Sequence, residues 1–226
     1  LSGFVETLQT LPLDAEERGR YLQMMAQQAS RMQNVVHDLL VLSRLEGSPP
    51  PGMSEWFELR SLMQRCEDDA RALSSLLTKN AQPHRLTFPS SDLFGPEDAL
   101  AGSETELQSA LSNLISNAVR YTPPGGAITV TWHCRDDGRA VFSVQDTGPG
   151  IAPEHIPRLT ERFYRVDRSR SRETGGTGLG LAIVKHVLQR HGATLEIASV
   201  LGLGSTFSVT FPASRVRVRV RVATAA

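Results

Sequence analysis

Apolar residues recur along this chain with two different periods, and the change of period divides it. Leu1, Phe4, Val5 and Leu8 fall at helical spacing until Pro12 breaks the pattern, and Asp14 then offers a fresh helix start. From Leu22 onward, Leu22, Met25, Ala29, Met32, Val36 and Leu39 alternate steps of three and four, the seam of a coiled coil or helical bundle, so this helix seeks partner helices. Gly47 to Gly52, with Pro49, Pro50 and Pro51 between them, ends it, because glycine frays a helix and prolines remove donors and hold an extended path. The expected organisation is therefore a helical region over 1–46, a linker over 47–53, a second domain over 54–213 and a disordered tail over 214–226.

Beyond the linker the pattern mixes periods. Strands are expected near 56–58, 85–88 and 92–94, with a helix through about residue 77 between the first two. A helix over 104–121 comes next, then strands over 127–134 and 140–145, a glycine-rich stretch, a helix over 179–191, and strands over 194–198 and 205–211. Separated helices and mostly antiparallel strands imply an α/β sandwich, a mixed sheet packed on helices.

Composition narrows the class. Hydrophobic residues make up 40% and charged residues 21% of 226 residues, the balance of a globular chain with room for one core and a smaller appended element. Net charge is zero, but Arg215, Arg217, Arg219 and Arg221 supply four positive charges in an alternating arginine–valine tail, so the body is acidic and carries no basic nucleic-acid footprint. Cys66 and Cys134 have no zinc-site or disulfide-framework spacing, which suits a reducing cytoplasm. No run of about 18 apolar residues and no signal sequence is present, and a membrane anchor is expected only upstream.

Three clusters can carry chemistry. On the helix over 104–121, Leu107, Leu111, Leu114 and Ala118 form the apolar stripe, and Asn113 and Asn117 lie four apart on the stripe beside it. Asparagine competes with the helix backbone, so the pair reads either as two solvated residues or as two oxygens aimed at a hard cation such as Mg²⁺. Arg120 and Tyr121 lie one turn on, within reach of phosphates and a base.

Asp146 continues the parity of Phe142 and Val144 toward the interior. A buried carboxylate needs a donor, and either a tight turn that it caps or the amino group of adenine can supply one. Gly148 and Gly150, on either side of Pro149, let the backbone turn and approach a ligand closely.

Gly175, Gly176, Gly178 and Gly180 precede a helix whose start presents free amides to an anion. The segment is neither a Walker loop nor a GxGxxG fingerprint. Arg165, Arg168, Arg170 and Arg172 crowd the residues before it, and read either as a solvated loop or as a lid over phosphates.

Together and in this order, NLISNAVRYTP from Asn113, DTGPG from Asp146, ERFYRVDRSRSRETGGTGLGLAIVKH from Glu161 and GLGSTF from Gly202 resemble the four ATP-binding boxes of sensor histidine kinases. The segment RMQNVVHDLLVLSRLE looks like the second helix of their dimerisation and phosphotransfer hairpin, and LSGFVETL like the stretch just after the phospho-accepting histidine in the first. The likeness extends to the phosphate-regulon sensor type. It implies the Bergerat-type ATP fold shared with gyrase, a heat-shock chaperone and mismatch-repair ATPases.

By the same resemblance, Asn113 and Asn117 hold Mg²⁺, Arg120 a phosphate, Tyr121 and Asp146 the adenine, and Gly148 and Gly150 the pocket edge. Phe163 anchors the lid, and Arg172, Gly176, Thr177, Gly178, Leu179 and Gly180 complete the ATP site. The implied activity is an ATP:protein-histidine phosphotransferase with ATP and Mg²⁺ as cofactors. Its partners are a second copy through the hairpin and the receiver domain of a response regulator. The implied setting is the cytoplasmic region of a bacterial inner-membrane protein.

One element of the family pattern is missing. None of His37, His84, His133, His155, His186 or His191 has after it the acidic residue and nearby proline of the acceptor motif, so the chain is expected to bind nucleotide without its nucleophile. Two rivals stay open on sequence alone. One is a non-phosphorylating module that titrates intact kinase, the other an ATP-hydrolysing relative in which nucleotide drives dimerisation.

Overall fold

The computed structural model describes residues 14–166 and 176–218. The apolar pattern of 1–10, Arg168, Arg170, Arg172 and Gly175, and the tail from residue 219 lie outside the described residues. In chain order the elements are α1 (Ala15–Gly47), β1 (Trp56–Glu58), α2 (Leu59–Leu77), β2 (Arg85–Thr87), β3 (Ala99–Ala101), α3 (Glu104–Tyr121), β4 (Ala127–Cys134), β5 (Ala140–Asp146), α4 (Gly180–Arg190), β6 (Thr194–Val200), β7 (Gly204–Phe211) and β8 (Val216–Arg217).

Helix α1 starts where Asp14 and Glu17 cap it reciprocally: the Asp14 carboxylate accepts the Glu17 N–H at 2.7 Å, and the Glu17 carboxylate accepts the Asp14 N–H at 3.1 Å. Such a capping box is worth about 1 kcal/mol. The helix stops at Ser48, whose extended backbone leads into the prolines. Only its last turns are buried, through Leu42 and Leu45, while Leu22, Met32, Val36 and Leu40 on the rest of the helix are each more than half exposed. The seam expected from residue spacing therefore has no partner among the described residues.

The main body is a five-stranded sheet in the order β2-β4-β5-β7-β6, with β2 parallel to β4 and the other pairs antiparallel. Helix α3 packs between α2 and α4 and lies on β5. Strand residues Ile128, Val130, Phe142, Val144, Val209 and Phe211 meet Leu107, Leu111, Leu114, Ile183 and Val187 in one core, because period-two and helical stripes bury against each other. Each such side chain contributes about 1.5–3 kcal/mol by leaving water. The core places the C-terminal end of β5 beside the middle of α3 and the start of α4.

Three details depart from the expectations drawn from residue pattern. Residues Ser91–Leu93 form a 3₁₀ turn in place of a strand, because the Ser90 hydroxyl accepts the Asp92 N–H and closes the chain locally. A second, three-stranded sheet in the order β1-β3-β8 stands beside the main one. Its strand β3 is too short to show alternation. Its strand β8 is the start of the arginine–valine segment, so the tail expected from residue 214 begins inside the fold. Buried Arg215 donates to the carbonyls of Pro51, Gly52 and Ala101 at 3.0, 3.3 and 3.1 Å, and the Arg217 guanidinium lies 3.8 Å from the Trp56 ring centroid.

The linker is tied down as well. Arg190 donates to the carbonyls of Leu45, Ser48 and Pro49 at 2.8, 2.6 and 2.9 Å and pairs with Glu106 at 3.0 Å. Together with Arg215, it fixes the path by which α1 enters the body. No helix among the described residues is long and apolar enough to cross a membrane.

Candidate functional site

A cavity of about 610 Å³ opens between α1, α3, the start of α4 and the ends of β5 and β7. Its inner end is built around Asp146. As the last residue of β5, in register with Ile128 and Ser205, Asp146 is only 7% exposed. Burial pushes its carboxyl above the ordinary carboxylate range, and the backbone amides of Gly148 and Ser205 pull it partly back. The Gly148 N–H donates to Oδ1 at 2.8 Å. Ile151, Leu159 and Phe207 supply apolar wall around it, an environment suited to a flat heterocycle whose amino group donates to the acid.

The turn after β5 depends on glycine. A side chain on Gly150 (φ 69°) would place its Cβ 2.1 Å from the Val200 carbonyl oxygen, and one on Gly148 would meet Asp146 Oδ1 at 2.8 Å. Gly150 lines the cavity. Gly148 sits behind it, and serves by holding the carboxylate rather than by forming the pocket edge expected of it.

The outer end is polar. Asn113 Nδ2 donates to the Ser109 carbonyl at 2.9 Å, which turns Oδ1 toward Gly180; a Cβ there would stand 2.7 Å from that oxygen. Asn117 lines the cavity one turn on, with Arg120 and Tyr121 beside it. Gly176, Thr177, Gly178 and Gly180 form the opposite wall. The N-cap residue Leu179 supplies no side-chain cap to α4 and the first turn holds no acidic residue, so the positive end of the helix faces the cavity.

Arg165 brings a guanidinium to the same end, its pKa pulled down by burial against a smaller upward pull from Tyr121. Oxygen donors at Asn113 and Asn117 suit Mg²⁺, which takes its remaining ligands from water and phosphate. The described residues hold no group of three or more His, Cys, Asp or Glu that would make an all-protein metal cage.

Two further expected site residues stand off the cavity wall. Phe163 is 54% exposed and does not line the cavity; its link to the site is its backbone, which adopts φ 62° and donates N–H to the Gly178 carbonyl at 2.9 Å. A bulky residue in that conformation is strained, and the bond to Gly178 is what fixes it. Leu179 is fully buried in the core and orients the glycine segment from behind. Arg172 lies outside the described residues.

Sequence reasoning missed the apolar wall residues Ile151 and Leu159, which lie in irregular segments with no period to place them, and Phe207, whose strand alternation reads simply as core. It also missed Asn34 and Asp38, which reach the cavity from α1. Their spacing of four on one helix face was the only available signal, and that spacing is equally that of a solvated stripe.

Comparison with known proteins agrees with this fold. The family described as "Histidine kinase-, DNA gyrase B-, and HSP90-like ATPase" matches residues 102–215, and "His Kinase A (phospho-acceptor) domain" matches residues 1–48. The phosphate regulon sensor protein PhoR of Pseudomonas aeruginosa is 50% identical over 217 residues, covering 96% of this chain and 47% of PhoR. The PhoR protein of Haemophilus influenzae is 35% identical over 212 residues, covering 94% of this chain and 47% of its own length. The chain thus spans about half the length of these relatives.

Among solved structures, full-length ShkA in complex with AMPPNP superposes with a TM-score of 0.66 at 27% identity, covering 93% of this chain and 42% of ShkA. The histidine kinase AdeS of Acinetobacter baumannii, at 20% identity, shares the fold with a TM-score of 0.64 over 93% of this chain and 91% of that one. With an ATPase body over more than half its length and a phospho-acceptor-type helix docked against it, the chain belongs to the sensor histidine kinases and carries their ATP-binding catalytic domain.

Proposed function

We propose that the cavity binds Mg²⁺-ATP with the purine against Asp146 and the phosphates between α3 and the start of α4, and that the whole protein passes the γ-phosphoryl group to a histidine and then to a response-regulator aspartate. The observation that carries the reading is the pairing, in one cavity, of a buried acceptor at Asp146 with an outward-turned oxygen at Asn113 beside the start of α4. The distribution of polarity matches a nucleotide: apolar walls with one acid at the base end, and amides, carboxamides and Arg165 at the phosphate end.

In this reading Asp146 selects a purine that offers an amino donor, and the Gly148 amide keeps the carboxylate aimed. Asn113 and Asn117 present oxygens to Mg²⁺, which when bound neutralises phosphate charge. Arg120, Arg165 and the amides of Gly176, Thr177, Gly178 and Gly180 spread the remaining charge. The chain's own contribution is positioning and charge neutralisation, the terms that dominate phosphoryl transfer.

The exposed stripe of α1, with Leu22, Met32, Val36 and Leu40 in water, supports pairing with further helices of the hairpin and of a second copy. The receiver domain of a regulator docks against the same bundle. The parent is a membrane-bound kinase whose cytoplasmic region includes this chain.

Because no histidine in residues 1–226 sits in an acceptor context, the chain binds ATP without labelling itself. Calorimetry with Mg²⁺-ATP tests the first half, and folded protein that gives no binding heat refutes it. Incubation with γ-labelled ATP tests the second, and acid-labile label on the chain refutes that.

A further inference from the structure

Helix α1 brings a carboxylate into the phosphate end of the cavity. The buried pair Leu42 and Leu45 seats the last turns of α1 on the body, and Glu46 fastens the same end, paired with Arg162 and 3.5 Å from His186 Nε2. One turn before Leu42, Asp38 points at the glycine segment, and one turn earlier still Asn34 lines the same cavity. The Thr177 hydroxyl donates to Asp38 Oδ2 at 2.7 Å and accepts the Leu179 N–H at 3.2 Å. A chain of hydrogen bonds thus runs from the backbone at the start of α4, through Thr177, to an anion supplied by another element.

We infer that Asp38 acts as a built-in competitor for the terminal phosphate: docked α1 fills the anion-accepting end of the nucleotide site with its own carboxylate, and a nucleotide must displace it in proportion to the phosphate charge it carries. Three observations support this. The first turn of α4 has no acidic residue of its own, and among the described residues Asp38 is the carboxylate bound to the Thr177 hydroxyl just ahead of it. Thr177 donates its single hydroxyl proton to Asp38 and cannot donate it to a phosphate at the same time. Asp38, half-buried, and the candidate phosphate-end residues Asn113, Asn117 and Arg165 line one cavity, where a carboxylate and a phosphate carry like charge and repel.

The consequence is reciprocal. A triphosphate loosens α1 from the body, and docking of α1 weakens triphosphate binding by the same factor. Asp38 is then a residue that sets which phosphorylation state of the nucleotide the site prefers when the helix is down.

The inference rests on the nucleotide reading of the cavity, and the test separates the two. Adenosine, ADP and ATP are titrated by calorimetry, with Mg²⁺, into the 226-residue chain and into its Asp38→Asn variant, which keeps the shape and a hydrogen-bond acceptor for Thr177. The expected result is a tightening that grows with phosphate number: unchanged for adenosine, intermediate for ADP and roughly tenfold for ATP at low salt, shrinking as salt is raised. Thermal melts of both proteins confirm folding. A factor common to all three ligands, or weaker ATP binding by the variant, overturns the competitor role and leaves nucleotide binding intact. Failure of the folded wild-type chain to bind any of the three overturns both readings.

Discussion

Replacing Asp146 by asparagine separates what that residue does for the ligand from what it does to the fold. The carboxylate has two oxygens that only accept, and one already takes the Gly148 N–H at 2.8 Å. Asparagine has one oxygen. If that oxygen keeps the Gly148 bond, the amide NH₂ meets the purine amino group donor to donor, and the Ser205 amide loses its charged acceptor. Losing a hydrogen bond to a charged acceptor costs about 1.5–3 kcal/mol, so affinity for ATP falls roughly 10- to 150-fold. The donor–donor encounter pushes the loss toward the upper end.

Stability moves the other way. Burial raises the Asp146 pKa in the folded chain, so folding favours the protonated acid. Wild-type stability is therefore fullest below the ordinary carboxylate range and declines as pH rises through the raised folded value, whereas asparagine has no proton to lose. The Asp146→Asn melting temperature is expected to equal or exceed wild type at neutral pH, with the gain shrinking in acid. Calorimetry with Mg²⁺-ATP, and thermal melts across the acid-to-neutral range on the same preparations, read both quantities. Unchanged affinity in a folded variant, or a variant clearly less stable at neutral pH, would refute the reasoning.

Particular contacts give further expectations. Gly150→Ala meets both a left-handed φ, worth about 1–2 kcal/mol, and the Val200 carbonyl 2.1 Å from the new Cβ, so its urea midpoint falls well below wild type. Arg215→Ala leaves three linker and strand carbonyls without their charged donor and is expected to lose at least about 2 kcal/mol in urea denaturation. His191 is fully buried, and burial holds its pKa below the ordinary 6.5. Its folded form resists protonation, so wild-type stability is complete above about 6.5 and is lost as pH falls below it. His191→Gln starts less stable and shows a flatter acid limb in pH-dependent melts; an identical acid limb refutes the assignment.

Residue spacing was enough to define the elements whose period is long and unambiguous, and residue chemistry enough to single out groups that are costly without a partner. Helix α3, strands β4 and β5 and the inward direction of Asp146 come from spacing alone, because a stripe or an alternation has one stable way to face a core, and the end of α1 at Gly47 comes from the glycine and prolines that follow. The glycines around Asp146 and before α4 were legible for the same reason: only close backbone approach or a left-handed turn makes them worth their entropy.

The remainder emerged only in the folded chain. Strands β3 and β8 are three and two residues long and exist because neighbouring strands complete their hydrogen bonds, not because their residues favour extension. Phe163 meets the glycine segment through its backbone, and Leu179 and Gly148 lie behind the wall, since direction relative to a cavity is not written in residue type. Asp38 and Asn34 read as solvated positions on a long helix until Leu42 and Leu45 seat that helix against the body. Spacing along a chain fixes which face a side chain shares, but which surface that face meets depends on contacts between residues more than a hundred positions apart, such as Asp38 with Thr177.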